Sequence, residues 1–454
     1  MRHAAILGSV LVAAASAPAT ASGATWSPPL NVSSPATFIT SPFIGFARSG
    51  DGLALWGWMN GVGPTARSWV RLAKVAPAGT FSPEQPAPRG VASPVIYGNG
   101  RVVAVDVVEI FRRGRPPLGR VRVSFGRVDG RFTRPKTIDT IRPFRLPAIA
   151  ANAHGRLAVA YMQLRGDGRR MVTLAVRRGK RFGRPRIVSA RGDFRSVTVA
   201  VGPRGDVIIA WARGRVVEAR IQRPGRPLGP IVRVGRIGTA RAIPTLRAAI
   251  AASGRAWVGW SAQALTEGGD NGPFTLRVAV SSPAGSRFGS PTLLDRYQRR
   301  ASDEATFDLA LDGRQGGLVA WSTFDGRNFR ARAGFANPRG RFLRKATLSR
   351  PGYDAAVGDL TTSGRVGEAL VAWSRLDDVG EVGTSVLATY IDPQRRSGAE
   401  EQVSRGDRAR APMAAFNPRG GLPTIVWSQR EGPDEPGVPL GRVRTFLKAA
   451  TRTL

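Results

Sequence analysis

A unit of about fifty residues recurs along the chain, and this repeat constrains the fold more than any other feature of the sequence. Each copy combines a glycine-containing turn, an apolar run, a small residue and an aromatic anchor, as in residues 317–322 and 369–374. The anchor positions are Trp56, Asp106, Tyr161, Trp211, Trp260, Trp321, Trp373 and Trp427. Consecutive anchors lie 49 to 61 residues apart, so the chain is predicted to contain eight copies of one structural unit.

Each copy divides into four short stretches with the composition of β-strands. In the third unit the predicted strands are 147–152, 157–161, 171–177 and 182–189. The second stretch is apolar at nearly every position, which indicates a strand covered on both faces, and the fourth carries a Gly-x-Phe-x-x-Pro pattern or one close to it. Proline cannot donate a hydrogen bond to a strand ladder and is typical of an edge strand. Four-stranded units with a buried inner strand and a proline-marked edge are the blades of a β-propeller.

The predicted fold class is therefore all-β, a β-propeller of about eight four-stranded blades in a single domain. The repeat units are 34–88, 89–139, 140–190, 191–236, 237–296, 297–350, 351–404 and 405–454. The last unit lacks a fourth strand, and residues 25–33 have the composition to supply it, so we expect the N-terminal strand to close the ring and remove its free edges. A seven-bladed ring and an open β-solenoid are the alternatives.

The first 24 residues have the pattern of a signal peptide. A basic start at Arg2 precedes an apolar run over residues 4–15, and small residues follow. The run is shorter than the roughly 20 apolar residues that span a bilayer. We therefore expect cleavage within residues 21–25 and a secreted or extracytoplasmic protein over 25–454 that does not span a membrane.

Several kinds of site are excluded by composition. The chain has no cysteine, and His154 is the one histidine after the signal peptide, which argues against thiol chemistry, a zinc site and a Ser-His-Asp triad. No phosphate-binding loop or calcium-loop spacing occurs. We predict no cofactor, no metal and no identifiable catalytic residue, and we treat the protein as a monomer.

One stretch of the third unit resembles the sialidase superfamily. Phe144-Arg145-Leu146-Pro147 and the strand that follows it are similar to the F-R-I-P segment of those enzymes. The resemblance implies a propeller in which Arg145 would hold a substrate carboxylate and Asp167 would act as acid or base. It covers about 45 residues, and the S-x-D-x-G-x-x-W turn of sialidases is absent. The family also uses a tyrosine nucleophile activated by glutamate, and no tyrosine here lies in a motif that identifies it.

Basic residues are concentrated in one sector of the repeat. The chain carries 68 Lys and Arg against 31 Asp and Glu, a formal charge of +37. Residues 101–250 hold 34 basic and 8 acidic side chains, whereas residues 351–454 hold 13 of each. Arginine forks suit carboxylate, sulfate and phosphate. The candidate anion-binding residues are Arg112, Arg113, Arg115, Arg145, Arg165, Arg169 and Arg170.

Two functions follow from these observations. The main prediction is a non-enzymatic binding or scaffold protein at the cell envelope, whose basic sector contacts an anionic polymer or glycan. The alternative is a sialidase-like glycoside hydrolase that uses Arg145. Nucleic acid is a less suitable partner, because no motif that combines aromatic and basic residues is present. Asp106 replaces the anchor aromatic of the second unit, and we interpret it as a slip in register.

Overall fold

The computed structural model of the protein describes residues 25–61, 67–88, 91, 93–112, 115–143, 147–164, 169–179, 181–238, 244–265, 271–298, 306–363, 367–376, 383–405, 408–431 and 444–453. Within these ranges the regular structure consists of strands, and no helix is present. The prediction of an all-β chain is confirmed. None of the described segments is a helix that could cross a membrane.

Thirty-four strands follow one another along the described chain. The first ten are β1 (Thr25–Trp26), β2 (Leu30–Asn31), β3 (Phe38–Phe46), β4 (Gly52–Asn60), β5 (Arg67–Val75), β6 (Gln85–Pro86), β7 (Pro94–Tyr97), β8 (Arg101–Arg112), β9 (Arg115–Arg127) and β10 (Lys136–Pro143). The next nine are β11 (Ala148–Ala151), β12 (Leu157–Leu164), β13 (Arg170–Arg178), β14 (Arg181–Phe182), β15 (Arg186–Ile187), β16 (Phe194–Val201), β17 (Val207–Arg213), β18 (Val216–Gln222) and β19 (Val232–Arg236).

The remaining fifteen strands continue the same alternation. They are β20 (Thr245–Ile250), β21 (Ala256–Leu265), β22 (Asn271–Val280), β23 (Thr292–Tyr297), β24 (Phe307–Leu311), β25 (Gly317–Phe324), β26 (Phe329–Ala336), β27 (Phe342–Thr347), β28 (Asp354–Thr362), β29 (Ala369–Leu376), β30 (Gly383–Ile391), β31 (Glu401–Gln402), β32 (Ala409–Phe416), β33 (Pro423–Glu431) and β34 (Arg444–Thr453). All of the pairings between them are antiparallel, as short connections between neighbouring strands require.

The strands form repeated four-stranded sheets, which gives the molecule a propeller-like architecture. Five sheets have the order first, second, third and fourth strand of one repeat unit, as in β16-β17-β18-β19. Units two and three depart from this pattern, because β10 also pairs with β12 through Arg142 and Leu164. Their strands therefore belong to one nine-stranded sheet.

The last unit is completed by residues from the opposite terminus. β1 pairs with β34 through Trp26 and Arg452, and β2 pairs with the same strand through Leu30 and Ala449. The resulting sheet has the order β1-β34-β33-β32. Trp26 Nε1 also donates a hydrogen bond of 2.8 Å to Glu401 in the preceding sheet, so the N-terminal strand contacts two units.

The second strand of each unit is buried on both faces, as its apolar composition predicts. In β17 the side chains of Val207, Ile209 and Trp211 pack toward β12, whereas those of Ile208 and Ala210 pack toward β21. The described residues form eight hydrophobic clusters, each between two successive units. One of them contains both Trp56 and Val426, so the first unit packs against the last.

Several anchor aromatics also bind the fourth strand of the unit before them. Tyr161 donates a hydrogen bond to Asp139 of β10, and Trp321 Nε1 donates one of 3.0 Å to Asp295 of β23. Trp260 Nε1 donates to the Arg236 carbonyl at 3.3 Å. Because a buried N–H or O–H group without a partner is destabilising, these bonds satisfy the aromatic polar atoms and fix the spacing of successive sheets.

Candidate functional site

The first strands of the units surround a common space. β3 contacts β7, β7 contacts β11, and the series continues through β16, β20, β24, β28 and β32 back to β3. Five of these strands line one cavity of about 370 Å³, whose walls are alanine, valine, leucine and isoleucine side chains. We call the centre of this series of inner strands the axis, and a binding site lined by several units is expected there.

Three charged residues lie at one level of this axis. Arg247 of β20 is paired with Gly259, Asp308 of β24 with Ala320, and Asp359 of β28 with Ala372. Each of these partners immediately precedes an anchor tryptophan. The three residues therefore occupy equivalent positions in three successive units, and neighbouring inner strands bring their side chains together.

Asp308 is held by the strand on one side and by its own backbone. Arg247 Nε donates a hydrogen bond of 2.9 Å to Asp308 Oδ1, and the Leu309 amide donates to the same oxygen at 2.8 Å. The Arg247 side chain is 46% exposed and that of Asp308 is 23% exposed. Solvent therefore reaches this ion pair, which gives the cluster an accessible side.

Asp359 is the buried member of the cluster, with 9% of its surface exposed. Its Oδ2 accepts a hydrogen bond of 2.7 Å from the Ala414 amide in β32. Burial, together with the nearby negative charge of Asp308 and a hydrogen bond to it, raises the pKa of Asp359 to about 7. Asp359 is thus a carboxyl group that keeps its proton close to neutral pH.

A hydrogen-bonded pair of carboxyl groups shares one proton, since two adjacent negative charges repel each other strongly. The buried Asp359 is suited to donate a proton, and Asp308, beside Arg247, is suited to accept one. Such a pair can perform general acid and base catalysis on a bond placed at the axis. Among the described residues, no cluster of three or more potential metal ligands is present.

Two of the predicted arginines lie together at the boundary between the third and fourth units. Arg169 is exposed, and Arg170 Nη1 donates hydrogen bonds of 2.9 Å to Asp193 and to the Phe194 carbonyl. They share an open pocket of about 350 Å³ with Arg191. Arg191 was not among the residues predicted from the sequence. Arg170 is therefore partly neutralised by Asp193, while the pocket remains basic overall.

For the other predicted arginines, either the structure describes the backbone alone or the residue lies outside the described ranges. Arg112 and Arg115 end β8 and begin β9 and face each other in register, and only their backbones are described. Arg113, Arg145 and Arg165 lie outside the described residues, as does Asp167. Their assignment as anion-binding residues remains a prediction.

Asp106 stands in register with its neighbours, so the expected slip is wrong. The pairing of β8 with β9 is continuous from Arg101 to Ile110, and Asp106 lies opposite Arg122. Arg122 Nη2 donates to Asp106 Oδ2 at 2.6 Å, and both side chains are largely buried. An ion pair therefore replaces the anchor aromatic in the second unit.

The contact between Tyr353 and Glu400 does not form a nucleophile of the sialidase kind. Tyr353 donates a hydrogen bond to Glu400. Tyr353 is buried in the cluster between the sixth and seventh units, and burial raises the pKa of its hydroxyl group, with Glu400 adding to the shift. Glu400 could accept the proton of Tyr353, but the tyrosine is buried between two sheets, where a substrate does not reach it, so it is suited to packing.

Sequence reasoning missed the axial cluster, although a signal for it was present. Arg247 and Asp308 each precede their anchor tryptophan by 13 residues, and Asp359 precedes its anchor by 14. The extra residue lies in the turn after Asp359, because six residues separate the paired Thr362 and Ala369, whereas five separate Leu311 from Gly317. An alignment of the units on their anchors would have placed the three charged residues within one position of one another.

Comparisons with known proteins give matches among solved structures. A sialidase from Streptococcus pneumoniae, NanB, matches at 11% identity and a TM-score of 0.36, over 76% of this chain and 66% of that one. An α-L-arabinofuranosidase from Fusarium graminearum matches at 11% identity and 0.36, over 67% and 92%. A puromycin hydrolase matches at 16% identity and 0.42, over 88% and 59%. No family model and no curated protein matches the sequence.

These matches confirm the suspected resemblance to the sialidase type of propeller. The chain spans about two thirds of the length of the sialidase structures that it matches. They also correct the main functional prediction. A non-enzymatic binding or scaffold protein is the wrong expectation, since sialidases and an arabinofuranosidase stand among the matches, and the alternative of a glycoside hydrolase fits them better.

Proposed function

We propose that the protein is a glycoside hydrolase whose reaction takes place at the axis of the ring. The observation that carries the proposal is the contact between Asp308 and Asp359, with Arg247 beside it. Most glycosidases use two carboxyl groups, one to protonate the leaving oxygen and one to act on the sugar or on water. The axial pair provides one carboxyl group of each kind.

In this proposal Asp359 is the general acid and Asp308 is its partner. Asp359 holds a proton near neutral pH and would transfer it to the oxygen of the scissile glycosidic bond. Asp308 would then accept a proton from the attacking water. In glycosidases whose second carboxyl group acts as a base on water, the pair is about 6.5–9.5 Å apart. Asp308 and Asp359 are in contact in the free protein, so they would separate when the sugar and the water enter between them.

The ring that holds this site is proposed to have eight blades and to be closed by the N-terminal strand. The support is the cyclic series of inner-strand contacts from β3 to β32 and back. The pairing of β1 and β2 with β34 supports it further. We also propose that the protein acts outside the cytoplasm after loss of residues 1–24, on the basis of their sequence pattern.

The substrate is proposed to be a glycan that carries an acidic group. Support comes from the excess of basic residues over 101–250 and from the open pocket that Arg169, Arg170 and Arg191 line. Arg145 remains the residue that the sialidase resemblance assigns to a substrate carboxylate. A charged sector of one sign also raises the local concentration of such a substrate.

The proposal is tested with the purified full chain and a panel of 4-methylumbelliferyl glycosides, including a sialoside and an arabinofuranoside. Asp359→Asn and Asp308→Asn should each lower kcat on the best substrate by about 10²–10⁴-fold, the usual contribution of general acid–base catalysis. Asp392→Asn is the matched control, because Asp392 lies in a turn and pairs with Arg396. Absence of turnover across the panel, or turnover that survives both axial substitutions, would overturn the proposal.

A further inference from the structure

The first unit carries an exposed aromatic surface that the axial site does not use. Trp58 of β4 and Trp69 of β5 are directly opposite each other, with ring centroids 5.1 Å apart and planes inclined by 46°. Trp69 is 43% exposed, whereas Trp58 is 9% exposed. Among the exposed large hydrophobic side chains of the described residues, Trp69 is the one aromatic.

The cation of Arg71 lies against the ring of Trp58. The Arg71 guanidinium carbon is 5.1 Å from the centre of the Trp58 ring, within the range of a cation–π contact. Trp69 and Arg71 are two residues apart on one strand, and therefore lie on the same face of the sheet. Trp58 thus contacts both Trp69 and Arg71, and these three side chains are called the platform below.

Two hydrogen-bond donors in this group lack acceptors. Trp58 Nε1 and Arg71 Nε are buried, and neither has a hydrogen-bond partner in the part of the chain that the structure describes. A buried donor without a partner costs about 1–3 kcal/mol. Because both atoms are buried, a ligand at the surface contacts the exposed ring of Trp69 and not these two donors.

We propose that Trp58, Trp69 and Arg71 form a binding site for a pyranose ring of a glycan. One side of a pyranose presents an apolar C–H surface that packs on an aromatic face, while its hydroxyl oxygens accept hydrogen bonds around the rim. The platform offers a surface for the apolar side of such a sugar, the exposed ring of Trp69 packed against Trp58. The site lies in the first unit and is separate from the axial carboxyl groups of the sixth and seventh.

The position of the platform along the strands, relative to the axial carboxyl groups, follows from the strand register. Trp58 lies two residues beyond the anchor Trp56 on β4, whereas Asp308 pairs one residue before its anchor. At about 3.3 Å per strand residue, the platform is roughly 10 Å further toward the end where second strands turn into third strands. A role of the platform as a remote substrate-binding site of the hydrolase rests on the proposed function. Glycan binding by the platform does not depend on it.

The test is calorimetric titration of the full chain with cellohexaose, mannohexaose and N-acetylchitohexaose, and with a proline-rich peptide as the competing ligand class. One of the oligosaccharides should bind the wild-type chain, Trp69→Ala should weaken its binding at least tenfold, and Trp69→Phe should weaken it less. Leu343→Ala is the matched control, since Leu343 is 59% exposed on the outer strand of the sixth unit. An unchanged Tm in each variant shows that the fold is intact.

The outcomes separate this proposal from the proposed hydrolase. Glycan binding that disappears with Trp69→Ala and persists in Asp359→Asn supports the platform, whether or not any substrate is hydrolysed. No binding of any of the three oligosaccharides overturns it, as does binding that Trp69→Ala leaves unchanged. Binding of the proline-rich peptide alone would assign the surface to a protein partner and would equally overturn the proposal.

Discussion

Asp359 touches Asp308 across the gap between two neighbouring inner strands, and each carboxyl group is held by a different neighbour. Asp308 binds Arg247 on one side, and Asp359 binds the Ala414 amide on the other. Four successive units therefore contribute to one row of contacts at the axis. A change in either carboxyl group should alter both catalysis and the pH dependence of folding.

Asp359→Asn should remove a pH dependence from the free energy of unfolding. The pKa of Asp359 is raised to about 7 in the folded chain, so the folded state binds this proton more tightly than the unfolded state does. Its contribution to stability is full below about pH 4 and is lost as the pH rises to about 7. The amide stays neutral, so the variant should match wild type at pH 4 and exceed it by roughly 2–4 kcal/mol at pH 8. Urea unfolding at several pH values measures the difference.

Asp325 provides a control, because its pKa is shifted in the opposite direction from that of Asp359. Turn amides and Arg330 outweigh desolvation and lower the pKa of Asp325. Asp325→Asn should therefore cost stability above pH 4 and none at lower pH. A difference between Asp359→Asn and wild type that stays flat from pH 4 to pH 8 would contradict the assignment of the buried proton.

Asp308→Asn should lower the pKa of Asp359 without returning it to the value of an exposed aspartate. The substitution removes the negative charge, one of the causes of the shift, but leaves the burial that is its largest cause. Carboxyl carbon chemical shifts followed by NMR across pH 3–9 give the midpoint directly. A midpoint of Asp359 that does not move would show that the two groups are not coupled.

Glu401→Ala should weaken the attachment of the N-terminal strand. Glu401 accepts hydrogen bonds from Trp26 Nε1 and from Arg452, whose side chain is 14% exposed. The substitution leaves a largely buried arginine and an indole N–H without their acceptor, so a loss of about 2–4 kcal/mol in unfolding free energy is expected. Thermal and urea unfolding of the full chain measure it.

Asp392→Ala serves as the comparison for that loss. Its partner Arg396 is 65% exposed, and an exposed pair contributes about 1 kcal/mol or less. Protection of the β1 amides against hydrogen exchange should also fall in Glu401→Ala. Equal losses in the two variants would indicate that the contact of Trp26 with Glu401 adds nothing to the closure.

The parts of the structure that the sequence predicted are those repeated in every unit. The apolar run before Tyr161 predicts a strand over 157–161, and β12 occupies residues 157–164. The N-terminal strand was also foreseen, because Trp26 and Leu30 match the pattern of a missing fourth strand. Features that recur in every unit can be predicted from the sequence, because each copy supports the interpretation of the others.

The axial site was missed for a physical reason. Asp308 and Asp359 are single carboxylates in short inner strands, where a polar residue usually faces solvent. Their contact depends on the packing of two sheets, and a turn that is one residue longer after Asp359 changes its spacing from the anchor. The prediction of a register slip at Asp106 was wrong for a similar reason. Its partner Arg122 lies on another strand, and the ion pair between them takes the place of the missing aromatic side chain.

Asp106→Ala should destabilise the second unit, whereas replacing both Asp106 and Arg122 by leucine should restore most of the loss. The single substitution leaves Arg122 without its partner while 23% of its side chain is exposed, which should cost about 1–3 kcal/mol. The double substitution replaces a largely buried ion pair by apolar groups, which is often neutral or stabilising. A double-mutant cycle built on urea unfolding, with Asp106→Leu and Arg122→Leu as the two single variants, separates the coupling from the individual effects. If the double variant is as unstable as the sum of the two single ones, the pair does not substitute for the anchor aromatic in the way its geometry indicates.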